Sequence, residues 1–368
     1  MISRKAFLGA LGLAGLLSLG GAIDTARAEQ IDFSRLNTNL TDNFVLPHYA
    51  FFASSADRLA SETEEFCKSP TRGDLRLLQD GFNQGMDTFT EISHINFGRI
   101  AVHNRYKRLF FWPDPDHKVE NALKAYFENP GSEAAKKNIS QMPPEMQGYV
   151  TLGHLIFGKS AEAIMKNDAD GKARCALAVR ITRNIADMAQ QIFAEWREGP
   201  TAYAKIIETA GAPGNKVYQS ANKATLDYLD SIAGMLAEIT NEKLPLLLNA
   251  PKEKDEIKRA ECWCSGRSIK NIQINLRALF EMYKGIEDFG FDDVLLRQGQ
   301  GWLFNDIEAS FKNAISLANS IQADNDQILK DENVHKNLAD LQGKVKKLQL
   351  NTQKLHSLFE KELKAVVK

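Results

Sequence analysis

An all-α fold is what this 368-residue chain predicts, and three observations carry the prediction. Apolar residues recur at spacings of three and four along most of the sequence, which is the period of one helix face. No stretch keeps the strict alternation of a half-buried strand. The runs are separated by proline- and glycine-bearing breaks, where the chain must turn.

The N-terminus is set apart from the fold. Arg4 and Lys5 form a basic start, Ala6 to Ala22 is uncharged and rich in Leu, Gly and Ala, and Ala26-Arg27-Ala28 is an A-x-A cleavage site. Residues 1–28 therefore read as a signal peptide cleaved after Ala28. The apolar run is too short, and too soon followed by Asp24 and Arg27, for a membrane span. Ser3-Arg4-Lys5-Ala6-Phe7-Leu8 is similar to a twin-arginine signal with one Arg replaced by Lys, so Sec and Tat-like export both stay open. No cysteine precedes Cys67, so a lipid anchor is not expected. The expected mature protein is periplasmic or secreted, with no membrane span after cleavage. Its 340 residues allow one large or two medium domains. Net charge is −1 for the whole chain, and a nucleic-acid partner, which would leave a basic footprint, is not expected.

The helices follow in order. Phe44 to Phe66 is the first, with Pro47 near its start, where proline is tolerated. Gly73 to Ile95 is the second, with Leu75, Leu78, Phe82, Met86 and Phe89 on one face. Phe111-Trp-Pro-Asp-Pro-Asp116 breaks the pattern, and Val119 to Glu128 resumes it. After breaks at Asn129-Pro-Gly131 and Met142-Pro-Pro144 comes an almost wholly apolar helix, Gly148-Tyr-Val-Thr-Leu-Gly-His-Leu-Ile-Phe-Gly158, which must be covered on every side. A polar loop over 166–172 leads to a long helix, Ala173 to Arg197. Trp196-Arg-Glu-Gly-Pro200 and Gly211-Ala-Pro-Gly-Asn215 mark a boundary between two halves, 29–199 and 200–368, each of about five helices. Val217 to Asn241, Glu256 to Lys284, Gly301 to Ile321 and Leu338 to Val367 complete the second half. The last repeats Leu341, Val345, Leu348, Leu355, Phe359 and Leu363, as a bundle helix does. A helix lying on a membrane surface or a partner is the sharper alternative.

Chemistry is sparse. Cys67, Cys175, Cys262 and Cys264 allow three pairings in an oxidising compartment. Cys262 and Cys264, two apart on a predicted helix, point in different directions and are not expected to bond each other. Cys67–Cys175, 108 positions apart, is the expected disulfide; four buried free thiols are the alternative. On the helix predicted from Glu256, a stripe of Ile269, Ile272, Leu276 and Leu279 is bordered by Glu261, Ser268, Asn271 and Asn275, with Ser265 inside it. Such a border either holds a polar ligand or ties the helix to a neighbour. Gly266 there is expected to be offset by close helix packing. Asp114, Asp116 and His117 form an acid/imidazole turn that suits a divalent metal, although Asp after Pro ahead of a helix also serves as a cap. Asn167-Asp-Ala-Asp-Gly171 is similar to the opening of a calcium loop, but Ala178 stands where its twelfth-position glutamate belongs, so it reads as a polar turn. No His-Glu-x-x-His helix, nucleophile elbow or phosphate loop is present.

Five blocks in order resemble the imelysin family. They are the Phe66-Cys67 helix end, Phe111-Trp-Pro-Asp114, Gly148 to Gly158, Arg174-Cys175 with Trp196, and Ala260-Glu261 running into Ser265-Gly-Arg-Ser268 and Asn271. The resemblance implies two helical bundles related by a pseudo-twofold, a secreted or periplasmic home, an association with iron acquisition, and a site where the bundles meet. The family carries a peptidase label. Its Gly-x-His-x-x-Glu motif falls on Gly148 to Gly153, where this chain has Val150 for the histidine and Gly153 for the glutamate. His154 lies one residue further, about 100° round the helix, so it does not stand in for the glutamate and reads as a core histidine.

The expectation is thus a non-hydrolytic, imelysin-like binding or accessory protein for uptake of iron or another nutrient. Its ligand site is lined by Glu261, Ser265, Arg267, Ser268 and Asn271, with His154 nearby. The partner is a small ligand or metal, with iron or another divalent ion as the candidate cofactor and an envelope protein as a further partner. The alternatives are a metal-dependent peptidase with a rearranged site of His154, Asp114 and His117, and a structural, partner-binding helical protein.

Overall fold

The computed structural model describes residues 30–129, 131–251 and 256–366. The predicted signal peptide and its cleavage site lie outside the described residues. Seventeen α-helices follow one another among the described residues. They are α1 (Phe33–Asn39), α2 (Leu46–Lys68), α3 (Arg72–Ile92), α4 (Arg105–Leu109), α5 (Lys118–Glu128), α6 (Glu133–Lys136), α7 (Tyr149–Ile156), α8 (Gly158–Ile164) and α9 (Ala169–Arg197). After α10 (Tyr203–Glu208) come α11 (Ala221–Glu238), α12 (Leu244–Asn249), α13 (Ser268–Tyr283), α14 (Phe291–Arg297), α15 (Gly301–Ser320), α16 (Asn325–Lys330) and α17 (Glu332–Val366). No strand occurs among the described residues.

The helices form two bundles related by a pseudo-twofold. In the first, α2 packs against α3 and α9, with α7 against α3 and α9 and α8 against α9. Phe52, Phe82, Phe89 and Tyr149 meet there; Phe89 stacks on Tyr149 at 5.8 Å between ring centroids and Phe82 meets it edge-on at 5.9 Å. Rings in these arrangements contribute about 0.5–1.5 kcal/mol per pair beyond the area they bury. A Cys67–Cys175 disulfide, with Cα atoms 5.5 Å apart, ties the end of α2 to the start of α9. Cys262 and Cys264 are free. In the second bundle α17 lies along α11 and α15, and α13 packs on α15. Leu338, Leu341, Val345, Leu348, Leu355 and Phe359 of α17 are all fully buried, so its apolar stripe is spent within the bundle.

The same device joins two helices in each half. A π-helical turn over Leu40–Val45 runs into α2, and another over Ile239–Lys243 runs into α12. In each, the leucine that follows donates its N–H five residues back, Leu46 to Thr41 and Leu244 to Ile239. Pro47 and Pro245 come next. Proline has no N–H and its ring crowds the carbonyl four residues earlier, so a wider turn ahead of it lets the helix continue. The first helix is consequently longer than the apolar period alone suggests: α1, the π turn and α2 run on from Phe33.

Several contacts cross between the halves. α13 lies against α3, and α1, although first in the chain, packs on α11. Asn37 of α1 donates to the Ala221 carbonyl at 2.8 Å and accepts from Thr225 Oγ1 at 2.7 Å.

One predicted element is corrected. The helix expected over Glu256 to Lys284 begins only at Ser268; before it, Glu256–Arg259 and Trp263–Ser265 are single 3-10 turns. Cys262 and Gly266 both sit in the left-handed region, with φ of 52° and 68°, which ends each attempt at a helix. Gly266 has no atoms within 4 Å of where a Cβ would stand, so its role is the turn and not close packing.

Candidate functional site

The bundles meet over the 256–267 segment, α3 and α13. Lys243, at the end of the second π turn, is 3% exposed and reaches into this junction. Its Nζ donates to Glu261 Oε1 at 3.0 Å and to Asn275 Oδ1 at 2.9 Å, and lies 3.4 Å from Glu238 Oε1. It also stands 5.8 Å from the centre of the Trp112 ring. Burial pushes the Lys243 pKa down, but the carboxylates of Glu261 and Glu238 outweigh it and hold it above the usual lysine range. Burial raises the pKa of Glu261, against the pull of Lys243. Asn275 completes the link across the halves by donating to the Thr90 carbonyl at 3.1 Å.

A second tie runs beside it. Arg267 donates to Asn83 Oδ1 at 3.0 Å and pairs with Asp87, both on α3. Ser268 donates to the Glu261 carbonyl at 2.6 Å, closing the turn that starts α13, and Ser265 donates to the Cys262 carbonyl at 3.0 Å. Trp112 Nε1 donates to the Arg259 carbonyl at 3.0 Å, fastening the Trp-Pro turn of the first half to the second. Glu261 Oε2, both amide atoms of Asn271, Arg267 Nε and Tyr149 OH are buried without a hydrogen-bond partner among the described residues.

The motif helix α7 is fixed by close approach. A Cβ on Gly148 would stand 2.1 Å from the Leu109 carbonyl oxygen, so only glycine lets this helix start where it does. A Cβ on Gly153 would stand 3.2 Å from Cys264 Sγ and 3.5 Å from the Phe82 ring. A side chain at that position would start directly against a thiol and an aromatic edge.

His154 is not a core histidine. It is half-buried, has no hydrogen bond to any described residue, and meets the Trp263 ring edge-on at 5.7 Å. Burial lowers its pKa, while Glu120 and Asp114 pull the other way and His117 adds to the lowering. It lies four residues after Val150, on the same face of α7, so the imidazole is one turn along from where the family's histidine would be. Val150 and His154 line a narrow pocket of about 20 Å³ with Trp112, Asp114, His117 and Trp263. His154 and Trp263 also wall a much larger cleft of about 780 Å³.

The Trp-Pro turn does not assemble a metal site. Asp114 spends both carboxylate oxygens on backbone N–H groups, Oδ1 accepting from Lys118 at 2.9 Å and Oδ2 from Val119 at 3.0 Å. Asp116 lies 3.6 Å from Lys118 Nζ at the surface. Among the described residues no three His, Cys, Asp or Glu side chains stand together as a metal-holding group. Asp168, in the stretch that resembles a calcium loop, caps α9 by accepting from the Gly171 N–H at 2.9 Å. Sequence reasoning missed Lys243 and Trp263. A lone lysine directly before Leu-Pro and an apolar run was the available signal for the first.

These features define an all-α protein of two packed bundles with a polar junction and an adjoining open cleft. A sequence model of the imelysin family matches residues 45–352, and the chain belongs to the imelysin family. Its fold is similar to that of a protein described as an iron-regulated protein A precursor from Parabacteroides distasonis, at TM-score 0.75 and 16% identity, over 89% of this chain and 95% of that one. It is also similar to an imelysin-like protein from Psychrobacter arcticum, at TM-score 0.68 and 15% identity, over 87% of this chain and 92% of that one. No curated protein matches. Among the described residues no helix is long and apolar enough to cross a membrane.

Proposed function

We propose that this protein is a non-hydrolytic binding or accessory protein of the periplasm or extracellular space, acting in uptake of iron or another nutrient. One observation carries the reading: the motif positions hold Val150 and Gly153, and a side chain at Gly153 would start directly against Cys264 and Phe82. Neither a metal ligand nor a general base is supplied there. The export-type N-terminus supports the location, and the description of the Parabacteroides protein as iron-regulated supports the link to iron.

In this reading Glu261, Arg267 and Ser268 hold the junction and shape the wall that carries Trp263, Asn271 lies buried beside them, and His154 faces the ligand. The peptidase alternative draws on the narrow pocket that gathers His154 with Asp114 and His117. Metal analysis of protein purified without chelator, paired with a casein digestion, separates the two. We expect sub-stoichiometric zinc and iron and no proteolysis. Stoichiometric metal with chelator-sensitive cleavage, lost in His154→Ala, would overturn the proposal.

A further inference from the structure

We propose that the cleft beside His154 binds an organic anion with a flat, fused-ring or otherwise aromatic body. This rests on the binding-protein reading above and names its ligand class. The cleft lies between α5, the α7–α8 corner, the start of α9 and the Trp263 turn, and its volume of about 780 Å³ exceeds what a single ring would fill. Pockets that enclose small molecules typically span about 300–1,000 Å³ and combine apolar walls with a few placed polar groups.

The walls meet that description. Leu123, Phe127, Phe157 and Trp263 supply an apolar, largely aromatic surface. Flat rings are well matched to such walls, because offset and edge-on ring contacts add to simple area burial. The charged groups at the cleft are Lys124, Lys159, Arg174 and Lys258 against Glu120 and Glu128, an excess of positive charge. The Arg174 guanidinium lies 4.3 Å over the Phe127 ring while its Nε donates to Asp170 at 2.9 Å. It is thus already held against the aromatic wall, where a carboxylate or sulfonate attached to a stacked ring would arrive. Lys124 is only loosely engaged, 4.0 Å from Glu128 at the surface, a kind of pair that holds little energy. His154 adds one hydrogen-bonding group to an apolar surface, and no described residue uses it. A cationic ligand is disfavoured by the rim, and a fully polar ligand by the aromatic floor.

Calorimetric titration of the full mature chain with 2-naphthoate, 2-naphthamide and 2-naphthylmethylamine tests this. We expect one-site binding of the carboxylate about tenfold or more tighter than the amide, the amine being weakest. Lys159 is exposed, so Lys159→Glu should fold normally; it should weaken naphthoate about tenfold and leave the amide unchanged. Phe127→Ala should weaken both ring compounds. Equal affinity for carboxylate and amide, or naphthoate binding untouched by Lys159→Glu, would overturn the proposal, as would no binding at millimolar naphthoate. Chelator-sensitive proteolysis strikes the binding-protein reading and leaves naphthoate affinity in place. Absent naphthoate binding by a protein without proteolysis strikes the ligand class alone.

Discussion

The two π turns make a natural pair. Both end one residue before a Leu-Pro step, and both aim their last side chain inward. In the first that residue is Val45, fully buried and apolar; in the second it is Lys243, 3% exposed and charged. One backbone device thus closes a hydrophobic core in one half and delivers a cation to the junction in the other. The geometry is set by proline, but the consequence is set by the residue before Leu-Pro. The difference shows how a duplicated frame gains a polar junction without changing its helices. The first half is fastened covalently, Cys67 to Cys175, while the second is fastened to it by Asn275, which Lys243 holds from behind and which donates to Thr90, and by Arg267, which reaches Asn83 and Asp87.

The strongest test removes the charged half of the pair. Lys243→Met leaves Glu261 buried without its cation and should destabilise the protein by about 3–5 kcal/mol in urea unfolding. Adding Glu261→Gln should recover much of that loss, since replacing both partners avoids a stranded charge. If the single variant is as stable as the parent, the junction is not held by this pair.

The covalent fastening comes next. Cys67→Ser with Cys175→Ser should cost about 2–5 kcal/mol, as loss of a native disulfide usually does. Thermal unfolding with and without reductant checks this, and the double variant should be insensitive to reductant.

A smaller effect is carried by His94, which sits where α3 gives way to the junction. It is 2% exposed, and its Nε2 lies 3.2 Å from Met282 Sδ on α13. Burial, aided by His48 and opposed by the Glu91 carbonyl, lowers its pKa to about 3. The unfolded chain, where histidine titrates near its ordinary value, then binds the extra proton first as pH falls. Stability from neutral His94 is full above about pH 6.5 and declines from there toward pH 3, by at most about 1.4 kcal/mol per unit. Unfolding curves at several pH values should show this slope, and His94→Gln should flatten it.

The smallest effect should fall on the cleft. His154→Ala should change stability by no more than about 0.5 kcal/mol, because the ring is half-buried and bonded to no described residue. A loss of several kcal/mol would mean that His154 belongs with the junction and not with the cleft.

Much of this molecule was legible in the residues. The α17 stripe and the α3 face from Leu75 to Phe89 follow from a period of three to four and are buried as that period requires, whereas α7, expected to be covered on every side, leaves Val150 and His154 half-buried. The oxidising compartment allowed a disulfide and the expected Cys67–Cys175 bridge is present, but the residues alone did not single it out from the other pairings. The 256–267 segment was misread because its polar and apolar residues also fit a helical wheel, and periodicity does not register two left-handed residues. His154 was misread because a short apolar helix gives no sign of which edge its neighbours leave open. Lys243 was passed over because a single lysine beside an apolar run is ordinary in any helical sequence.

Residue identity alone set the helical class, the places where proline and glycine break it, and the loss of the family's His/Glu pair at Val150 and Gly153. These are local or compositional matters, fixed by backbone sterics and by residue identity. Only the tertiary structure decided that Cys264 lies against Gly153, that Lys243 pairs with Glu261 across 18 residues, and that His154 borders a cleft. Those depend on which faces of distant helices come together, and burial, partnering and open volume exist only once the two bundles have packed.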